Sequence, residues 1–352
     1  MIATEVRKRF ELPPELSADA PPEERGLARD AVRLMVAGPG GVRHAQFRDI
    51  GSFLRAGDLV VVNTSATIPA AVDATRACDE HIAVHFSTPR DDGTWIIELR
   101  LADRTGPVRD AVVGETVELA GGASAVLVAP HPDVHRYVGS RLWRAQIICE
   151  VSVADFLATH ARPITYAYVR QSIPPAAYQT IFSREPGSAE MPSAARPFTH
   201  ELVTELVTRG IGFATVVLHT GVSSQEAGEP PEAERFWVPS ATARRVNETR
   251  SAGGRVIAVG TTVTRALESV AHADGRISGG QGWTELFLGP DRPALVVDGL
   301  VTGWHAPEAS HLLLLEAVGG DRLVGDAYDA ALAARYLWHE FGDSCLLLPA
   351  TR

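Results

Sequence analysis

The chain has 352 residues, of which 45% are hydrophobic and 22% are charged. Since domains usually hold roughly 100 to 200 residues, this length predicts two domains. The net charge of -10 excludes a surface that attracts nucleic acid as a whole, so any RNA partner must bind a local basic patch. Three widely spaced cysteines exclude both a disulfide framework and a four-cysteine zinc site.

The N-terminus lacks the apolar segment of a signal peptide, and no apolar run reaches the ~18 residues of a membrane-spanning helix. We therefore expect a cytoplasmic protein without a membrane partner. We also expect a monomer.

The first half of the chain is dominated by strand patterns. Leu59 to Val62 form a continuous apolar run after a Gly-Asp turn, which predicts a buried strand. Between about residues 70 and 160 short strands repeat. Trp95 to Leu101 alternate in the manner of a half-buried strand, and the turn Gly121-Gly122 precedes another strand at Ala125 to Val128. This repetition predicts a small β-barrel.

After about residue 160 helices alternate with strands, which is typical of a layered α/β domain. Thr199 is predicted to cap a helix that Gly210 ends. The later predicted elements are a strand from Ile211 to Leu218, a helix capped by Ser240, a strand from Val256 to Val259, and helices from Ser310 to Leu315 and from Asp326 to Phe341.

These patterns predict the α/β class, with a layered α/β domain and an inserted small β-barrel. We expect residues 1–68 and 161–352 to form the discontinuous α/β domain, and residues 69–160 to form the barrel. The loop from Gly221 to Pro231, rich in small and polar residues, is the predicted flexible segment.

The most informative local pattern is a strand that ends at Gly260 and opens a helix with Thr261 and Thr262. Free N–H groups and hydroxyls at such a helix start suit a carboxylate or a phosphate. Arg265 and Glu268 follow one turn apart. The alternative is an ordinary helix start with an i, i+3 ion pair between those two residues.

A second cluster lies in the loop Thr302 to Pro307. His305 could serve as an acid or a base near neutral pH, and Trp304 could stack on a purine. The alternative is a histidine that only makes hydrogen bonds. For His219, which ends an apolar strand, a satisfied core histidine is the favoured interpretation.

Two further segments carry weaker patterns. The small-residue segment Gly187 to Ser193 would allow a ligand to approach the backbone, or would be an undistinguished loop. His131 and His135 have a spacing of four, but Pro132 between them argues against a helix that would aim both at one ion. We predict no metal site.

Taken together, the segments resemble the S-adenosylmethionine:tRNA ribosyltransferase-isomerase family of queuosine biosynthesis over nearly the whole chain. The main matching segments are Phe10-Glu11-Leu12-Pro13, Gly57-Asp58, Tyr178-Gln179-Thr180, Gly187-Ser188, Leu218-His219, Ala258 to Thr262 with Arg265 and Glu268, and His305 with Pro307 and Ser310. The resemblance implies an α/β domain with an inserted barrel. It also implies S-adenosylmethionine as co-substrate, whose ribosyl carbons pass to the aminomethyl group of a deazaguanine in tRNA while adenine and methionine leave, with no metal.

Under this resemblance we assign candidate residues as hypotheses. The catalytic candidates are His305, Glu268 and His219. The candidates for binding S-adenosylmethionine are Asn63, Tyr178, Gln179, Ser188, Gly260, Thr261, Thr262, Arg265, Thr284 and Trp304. The start of the helix at Gly260 would suit the methionine carboxylate.

The chain also departs from the family pattern in segments expected to face substrate. The family's Asn-Asp-Thr-Arg reads Asn63-Thr64-Ser65-Ala66, a family histidine reads Pro197, and a family asparagine reads Gly303. A lost arginine or histidine removes interactions that small neighbours cannot restore. Two alternatives to a tRNA-modifying transferase therefore stay open. The protein could use S-adenosylmethionine to act on a small-molecule acceptor, or it could bind its ligand without catalysis.

Overall fold

The structure is a computed structural model that describes residues 10–132, 139–223, 231–307 and 309–350. The strands are β1 (Arg33–Gly38), β2 (Gly41–Gln46), β3 (Leu59–Asn63), β4 (Ser65–Thr67), β5 (Ala71–Arg76), β6 (Glu80–Pro89), β7 (Trp95–Leu101), β8 (Thr116–Leu119), β9 (Ala123–His131), β10 (Leu142–Ile148), β11 (Glu185–Ser188), β12 (Gly212–Leu218), β13 (Glu234–Val238), β14 (Val256–Val259), β15 (Gly280–Thr284), β16 (Gly299–Thr302) and β17 (Ser344–Leu347). The α-helices are α1 (Val153–His160), α2 (His200–Thr208), α3 (Ser240–Ser251), α4 (Thr261–Ser269), α5 (His311–Gly319) and α6 (Asp321–Ala333).

Nine strands form one sheet in the order β15-β13-β12-β3-β14-β16-β17-β1-β2. Its centre is parallel, because β12, β3, β14 and β16 pair in the same direction, and antiparallel strands extend it on both sides. The predicted layered α/β architecture is confirmed.

The position of β3 in the sheet explains why its sequence is apolar throughout. Leu59 and Val61 belong to one hydrophobic core of the sheet, whereas Val60 and Val62 belong to a second core on the other face. Successive side chains of a strand point to opposite faces, so a sheet covered on both sides needs apolar residues at every position.

The predicted barrel is also confirmed. Six antiparallel strands close in the order β10-β7-β6-β5-β8-β9 and enclose their own hydrophobic core. The strands of the large sheet lie before and after these six in the chain, while the division into domains at residues 69–160 stays a prediction.

One strand of the barrel differs from its prediction. Strand β7 was expected to be half-buried, but Ile97, Glu98, Leu99 and Arg100 are all buried. The polar face is covered because the guanidinium of Arg100 packs over the ring of Tyr166, 5.2 Å from its centroid. The alternation of apolar and polar residues along β7 correctly indicated one apolar and one polar face, but the structure buries both faces.

The helix predictions had mixed outcomes. The hydroxyl of Thr199 accepts a hydrogen bond from Leu202 N, which confirms the predicted cap of α2. Ser240 is instead the first residue of α3, and Pro239 occupies the cap position. The predicted flexible loop falls partly outside the described residues, since 224–230 are not among them.

The last predicted helix was misplaced. Helix α6 ends at Ala333, and Arg335 takes a positive φ of 54°. Tyr336, Trp338 and Phe341 beyond it are buried without being helical. The spacing of these apolar residues resembles that of a helical face, which is why the sequence predicted a helix. They are buried because other segments of the tertiary structure pack against them.

Candidate active site

A cavity of about 960 Å³ is lined by residues of both the barrel and the α/β layers. Strands β14 and β16, which are parallel neighbours, both end at it. In open α/β sheets ligands bind beyond the carboxyl ends of the strands, so this is the expected position of a ligand site. The first turn of α4 follows β14, and the loop with His305 follows β16.

The start of α4 forms one wall of the cavity through Gly260, Thr261 and Thr262. Gly260 is the cap residue, with φ 95° and ψ 158°, and no described side chain caps this turn. The first N–H groups of a helix have no partner within the helix and carry its partial positive charge. The helix start lies where the sequence predicted it, and its N–H groups suit an anionic ligand.

Gly260 occupies a backbone region that is open essentially only to glycine. We expect Gly260→Ala to lower the free energy of unfolding by about 1–3 kcal/mol, measured by urea denaturation. Gly303→Ala is the matched control, because an added Cβ there meets no atom within 4 Å and the backbone is unstrained. Equal stabilities of the two variants would contradict this account.

His305 lines the same cavity. Its Nε2 lies 3.0 Å from Thr302 Oγ1, and its ring stacks on His311 with centroids 4.4 Å apart and planes at 4°. Burial, together with the neighbouring His311 and His339, lowers the pKa of His305 well below its usual value. At neutral pH the site therefore presents an oriented, uncharged imidazole.

Trp304 borders the cavity but is held mainly by other aromatic side chains. Only 2% of its surface is exposed, and its ring packs edge-on against Tyr328 and at 5.5 Å from Trp338. The indole belongs mainly to the hydrophobic core. Stacking on a purine would require this aromatic cluster to repack, so the structure argues against it.

Arg265 and Glu268 do not form the ion pair considered for them. The Arg265 guanidinium pairs with Glu234 and donates to the carbonyl oxygens of Leu286 and Thr284. The Glu268 carboxylate accepts three backbone N–H groups from residues 295–297 at 2.9–3.0 Å. Arg265 lines the cavity with its donors engaged, whereas Glu268 lies outside the lining and anchors a loop.

Asn63, Ser188 and His219 form a polar network behind the cavity rather than on its surface. Ser65 Oγ lies 2.6 Å from Ser188 Oγ and 2.8 Å from His219 Nδ1. Asn63 Nδ2 donates to the Leu218 carbonyl at 2.8 Å. This arrangement favours the interpretation of His219 as a satisfied core histidine.

Of the three remaining candidates for ligand binding, two make structural hydrogen bonds and one lines the cavity. Gln179 exchanges two hydrogen bonds with the backbone of Thr67, and Thr284 Oγ1 lies 2.5 Å from Ser269 Oγ, so both side chains are structural. Tyr178 lines the cavity, is 3% exposed, and its hydroxyl has no hydrogen-bond partner among the described residues. Tyr178 therefore remains available to a ligand.

Sequence reasoning missed an acidic wall of the cavity, formed by Tyr166, Tyr168, Glu190 and Glu340. Tyr166 donates to Glu190, and Tyr168 donates to Glu340 at 2.5 Å. Glu190 belongs to the small-residue segment already noted, but Glu340 carried no local signal. The Tyr168–Glu340 pair joins positions 172 apart in the chain.

Of the two histidines weighed as metal candidates, only His131 lies in a described range. His131 Nε2 lies 2.5 Å from Glu232 Oε2, and His135 falls outside the described residues. Across the described ranges, no group of three or more histidine, cysteine, aspartate or glutamate side chains is placed to hold a metal ion. Nor does this part of the chain contain a helix long and apolar enough to span a membrane.

The fold defines a layered α/β protein with a β-barrel, and residues of both line one large cavity. Residues 7–347 match the sequence profile of the family described as "Queuosine biosynthesis protein". Two curated relatives are named S-adenosylmethionine:tRNA ribosyltransferase-isomerase. That of Thermotoga maritima is 33% identical over 96% of this chain and 98% of its own, and that of Acidiphilium cryptum is 35% identical over 96% and 97%.

A solved structure, the S-adenosylmethionine tRNA ribosyltransferase of Thermotoga maritima, is similar to this chain with a TM-score of 0.53 and 30% identity. The match covers 97% of this chain and 99% of that one. The chain therefore belongs to the queuosine biosynthesis protein family.

Proposed function

We propose that this protein is an S-adenosylmethionine-dependent ribosyltransferase-isomerase. It would transfer and isomerise the ribosyl moiety of S-adenosylmethionine onto 7-aminomethyl-7-deazaguanine in tRNA, with release of adenine and methionine. The observation that carries this proposal is the similarity to relatives of that name over 96% of this chain and 97–98% of theirs.

The cavity supports S-adenosylmethionine as co-substrate. Its volume of about 960 Å³ suits a ligand of that size, since small-molecule sites are commonly about 300–1,000 Å³. We assign the methionine carboxylate to the start of α4 at Gly260 to Thr262, where the helix presents uncapped N–H groups. The sulfonium acidifies the neighbouring C5′ hydrogens, so a base near that carbon would start the transfer without a metal.

His305 is the residue that we assign to proton handling in the transfer, because it lines the cavity and its ring is held by Thr302 and His311. Glu268 and His219 are less suited to that task, since neither lines the cavity. Among the proposed binding residues, Thr261, Thr262 and Tyr178 have the geometry to touch the ligand directly.

The tRNA acceptor is supported by Arg104, a partly buried arginine on the barrel side of the cavity. Arg100 also lines the cavity, but its guanidinium is buried and paired with Glu98. Arginine is suited to phosphate recognition, so Arg104 can supply a local positive group although the chain as a whole carries a charge of -10. A cytoplasmic location and a monomeric state accompany this proposal as predictions.

The test is product release from purified protein incubated with S-adenosylmethionine. We expect free adenine and methionine with tRNA carrying 7-aminomethyl-7-deazaguanine, and none with the same tRNA lacking the aminomethyl group. Release only with a small amine acceptor would replace the tRNA substrate by the small-molecule alternative. Binding without release under any condition would contradict the catalytic proposal.

A further inference from the structure

Two carboxylates on the acidic wall face the cavity without a cationic partner. Glu190 accepts hydrogen bonds from Tyr166 and from both the backbone and the hydroxyl of Ser223. Glu340 accepts one from Tyr168. Within the described ranges, neither carboxylate forms an ion pair with an arginine, lysine or histidine.

The tyrosines bring the two carboxylates to one wall. The rings of Tyr166 and Tyr168 stack with centroids 6.0 Å apart, and Tyr168 also stacks on His339 at 4.2 Å. Like charges held close together in a low dielectric repel each other, unless a proton or a cation sits between them. The wall is therefore built to receive positive charge.

A second observation points to a ligand at the same wall. The hydroxyl of Tyr178 is buried without a hydrogen-bond partner, and the charge of Glu340 contributes to raising the pKa of Tyr178, after burial itself. A buried hydroxyl without a partner is costly, so a bound group that completes it is the simplest explanation.

Burial raises the pKa of Glu340 to about 7, and the charge of Glu190 adds to this effect, while the hydrogen bond from Tyr168 opposes it. The titratable or charged groups that line the cavity around Glu340 are Tyr166, Tyr168, Tyr178, Glu190, Arg104 and His339. On its other side Glu340 shares a small second cavity with Arg29, Arg196 and Asp343; both arginines pair with Glu23, and Asp343 pairs with Arg33. Burial lowers the pKa of His339 to about 4, so this neighbour is uncharged at neutral pH.

We propose that Glu340, oriented by Tyr168 and assisted by Glu190, binds the primary ammonium of the acceptor and removes its proton. One N–H bond breaks, the proton moves to a Glu340 carboxylate oxygen, and the electron pair stays on nitrogen as the lone pair that attacks the ribosyl carbon. The products of this step are a neutral amine and a neutral carboxylic acid. The inference rests on the proposed function and names the residue that selects an amine acceptor.

The acceptor amine explains this wall better than the cations of S-adenosylmethionine do. A sulfonium carries a fixed charge and exchanges no proton, whereas an ammonium must lose one before it can attack. A base is most effective when its pKa lies near the operating pH. Arg104 lines the same cavity, as expected for an acceptor that also carries phosphate.

The first experiment compares wild type with Glu340→Gln. Wild-type kcat/KM should rise with pH through about 7, because the ionised carboxylate is the active form. Glu340→Gln should lose this dependence and about 10²–10⁴-fold in turnover, while its Kd for S-adenosylmethionine stays within about twofold of wild type. Glu201→Gln, at an exposed position of α2, is the matched control and should behave as wild type.

Tyr168→Phe tests the positioning of the carboxylate. Because the Tyr168 hydrogen bond lowers the pKa of Glu340, its loss should move the pH dependence of kcat/KM to higher pH without abolishing it. A pH dependence that persists in Glu340→Gln, or stays unmoved in Tyr168→Phe, would overturn the proposal. So would a parallel loss of affinity for S-adenosylmethionine, which would assign the wall to the co-substrate.

A binding measurement separates this inference from the proposed function. Free 7-aminomethyl-7-deazaguanine is titrated calorimetrically at pH 7 in two buffers of different ionisation enthalpy. Since the ammonium favours the ionised carboxylate, wild type should release protons on binding, and Glu340→Gln should bind about tenfold or more weakly without that release. Equal affinity and equal proton release would reject the inference, even if wild type releases no adenine in the activity assay.

Discussion

His305→Ala is expected to lower turnover by about 10²–10⁴-fold while leaving S-adenosylmethionine binding measurable. The imidazole lines the cavity, its Nε2 lies 3.0 Å from Thr302 Oγ1, and the His311 ring stacks on it at 4.4 Å. These contacts hold a neutral ring in one orientation, and alanine can neither hold nor pass a proton. The measurement is adenine release under saturating co-substrate, with Kd determined separately.

The pH profile of this variant distinguishes the two proposed proton-handling residues. Since burial keeps His305 neutral around pH 7, its removal should reduce the rate without removing the rise of kcat/KM near pH 7 that we assign to Glu340. His272→Ala is the control, because His272 lies on the exposed surface and contacts Ser278. Near-normal turnover of His305→Ala would exclude the acid–base role.

Glu98→Gln is expected to lower the free energy of unfolding by about 3–5 kcal/mol, the usual cost of removing one partner from a buried charge cluster. Glu98 is fully buried, and its Oε1 accepts from Arg141 at 2.8 Å and from Arg100 at 3.1 Å. His85 Nδ1 lies 3.4 Å from its other oxygen. The neutral amide removes the negative charge that two buried guanidinium groups share.

The pH dependence of stability follows from the same cluster. Burial opposes ionisation of Glu98, but His85, Arg141 and Arg100 prevail and lower the pKa to about 2. A lowered pKa in the folded state means that the stabilisation is complete above the ordinary value of 4.5 and declines as the pH falls towards 2. Wild type should therefore lose stability over this acidic range by more than Glu98→Gln does.

Urea denaturation at pH 7 and at pH 3 measures both effects. Glu80→Gln is the matched control, because Glu80 is about half exposed and shares Arg76 with two other carboxylates. Its loss should cost no more than about 1 kcal/mol, as is usual for surface ion pairs. A Glu98→Gln variant as stable as this control would show that the cluster contributes little to the barrel.

The local sequence was sufficient to predict features that depend on residues within a single strand, helix start or junction. The apolar run of β3, the capped start of α2 and the junction of β14, Gly260 and α4 were all predicted, because periodicity and backbone conformation are properties of neighbouring residues. It was insufficient at the end of α6, where Tyr336 and Trp338 are spaced as in a helix but are buried by the tertiary structure.

The same division applies to the candidate site. The motifs identified Gly260, Thr261 and His305 as chemically suitable, and all three line the cavity. They could not distinguish these residues from Glu268, whose type and spacing were equally suitable but whose oxygens are occupied by backbone N–H groups. Which partner a buried polar side chain finds depends on the elements that pack against it, and spacing along the chain does not contain that information.

By itself, the sequence determined the two architectures, their order along the chain, and the glycine–threonine start of α4, because each depends on short-range patterns of polarity and backbone conformation. The tertiary structure alone decided that Trp304 is part of the core, that Arg265 is held by Glu234, and that Tyr168 meets Glu340 across 172 positions. Burial and charge proximity set the chemistry of these groups, and both arise only when distant segments pack together.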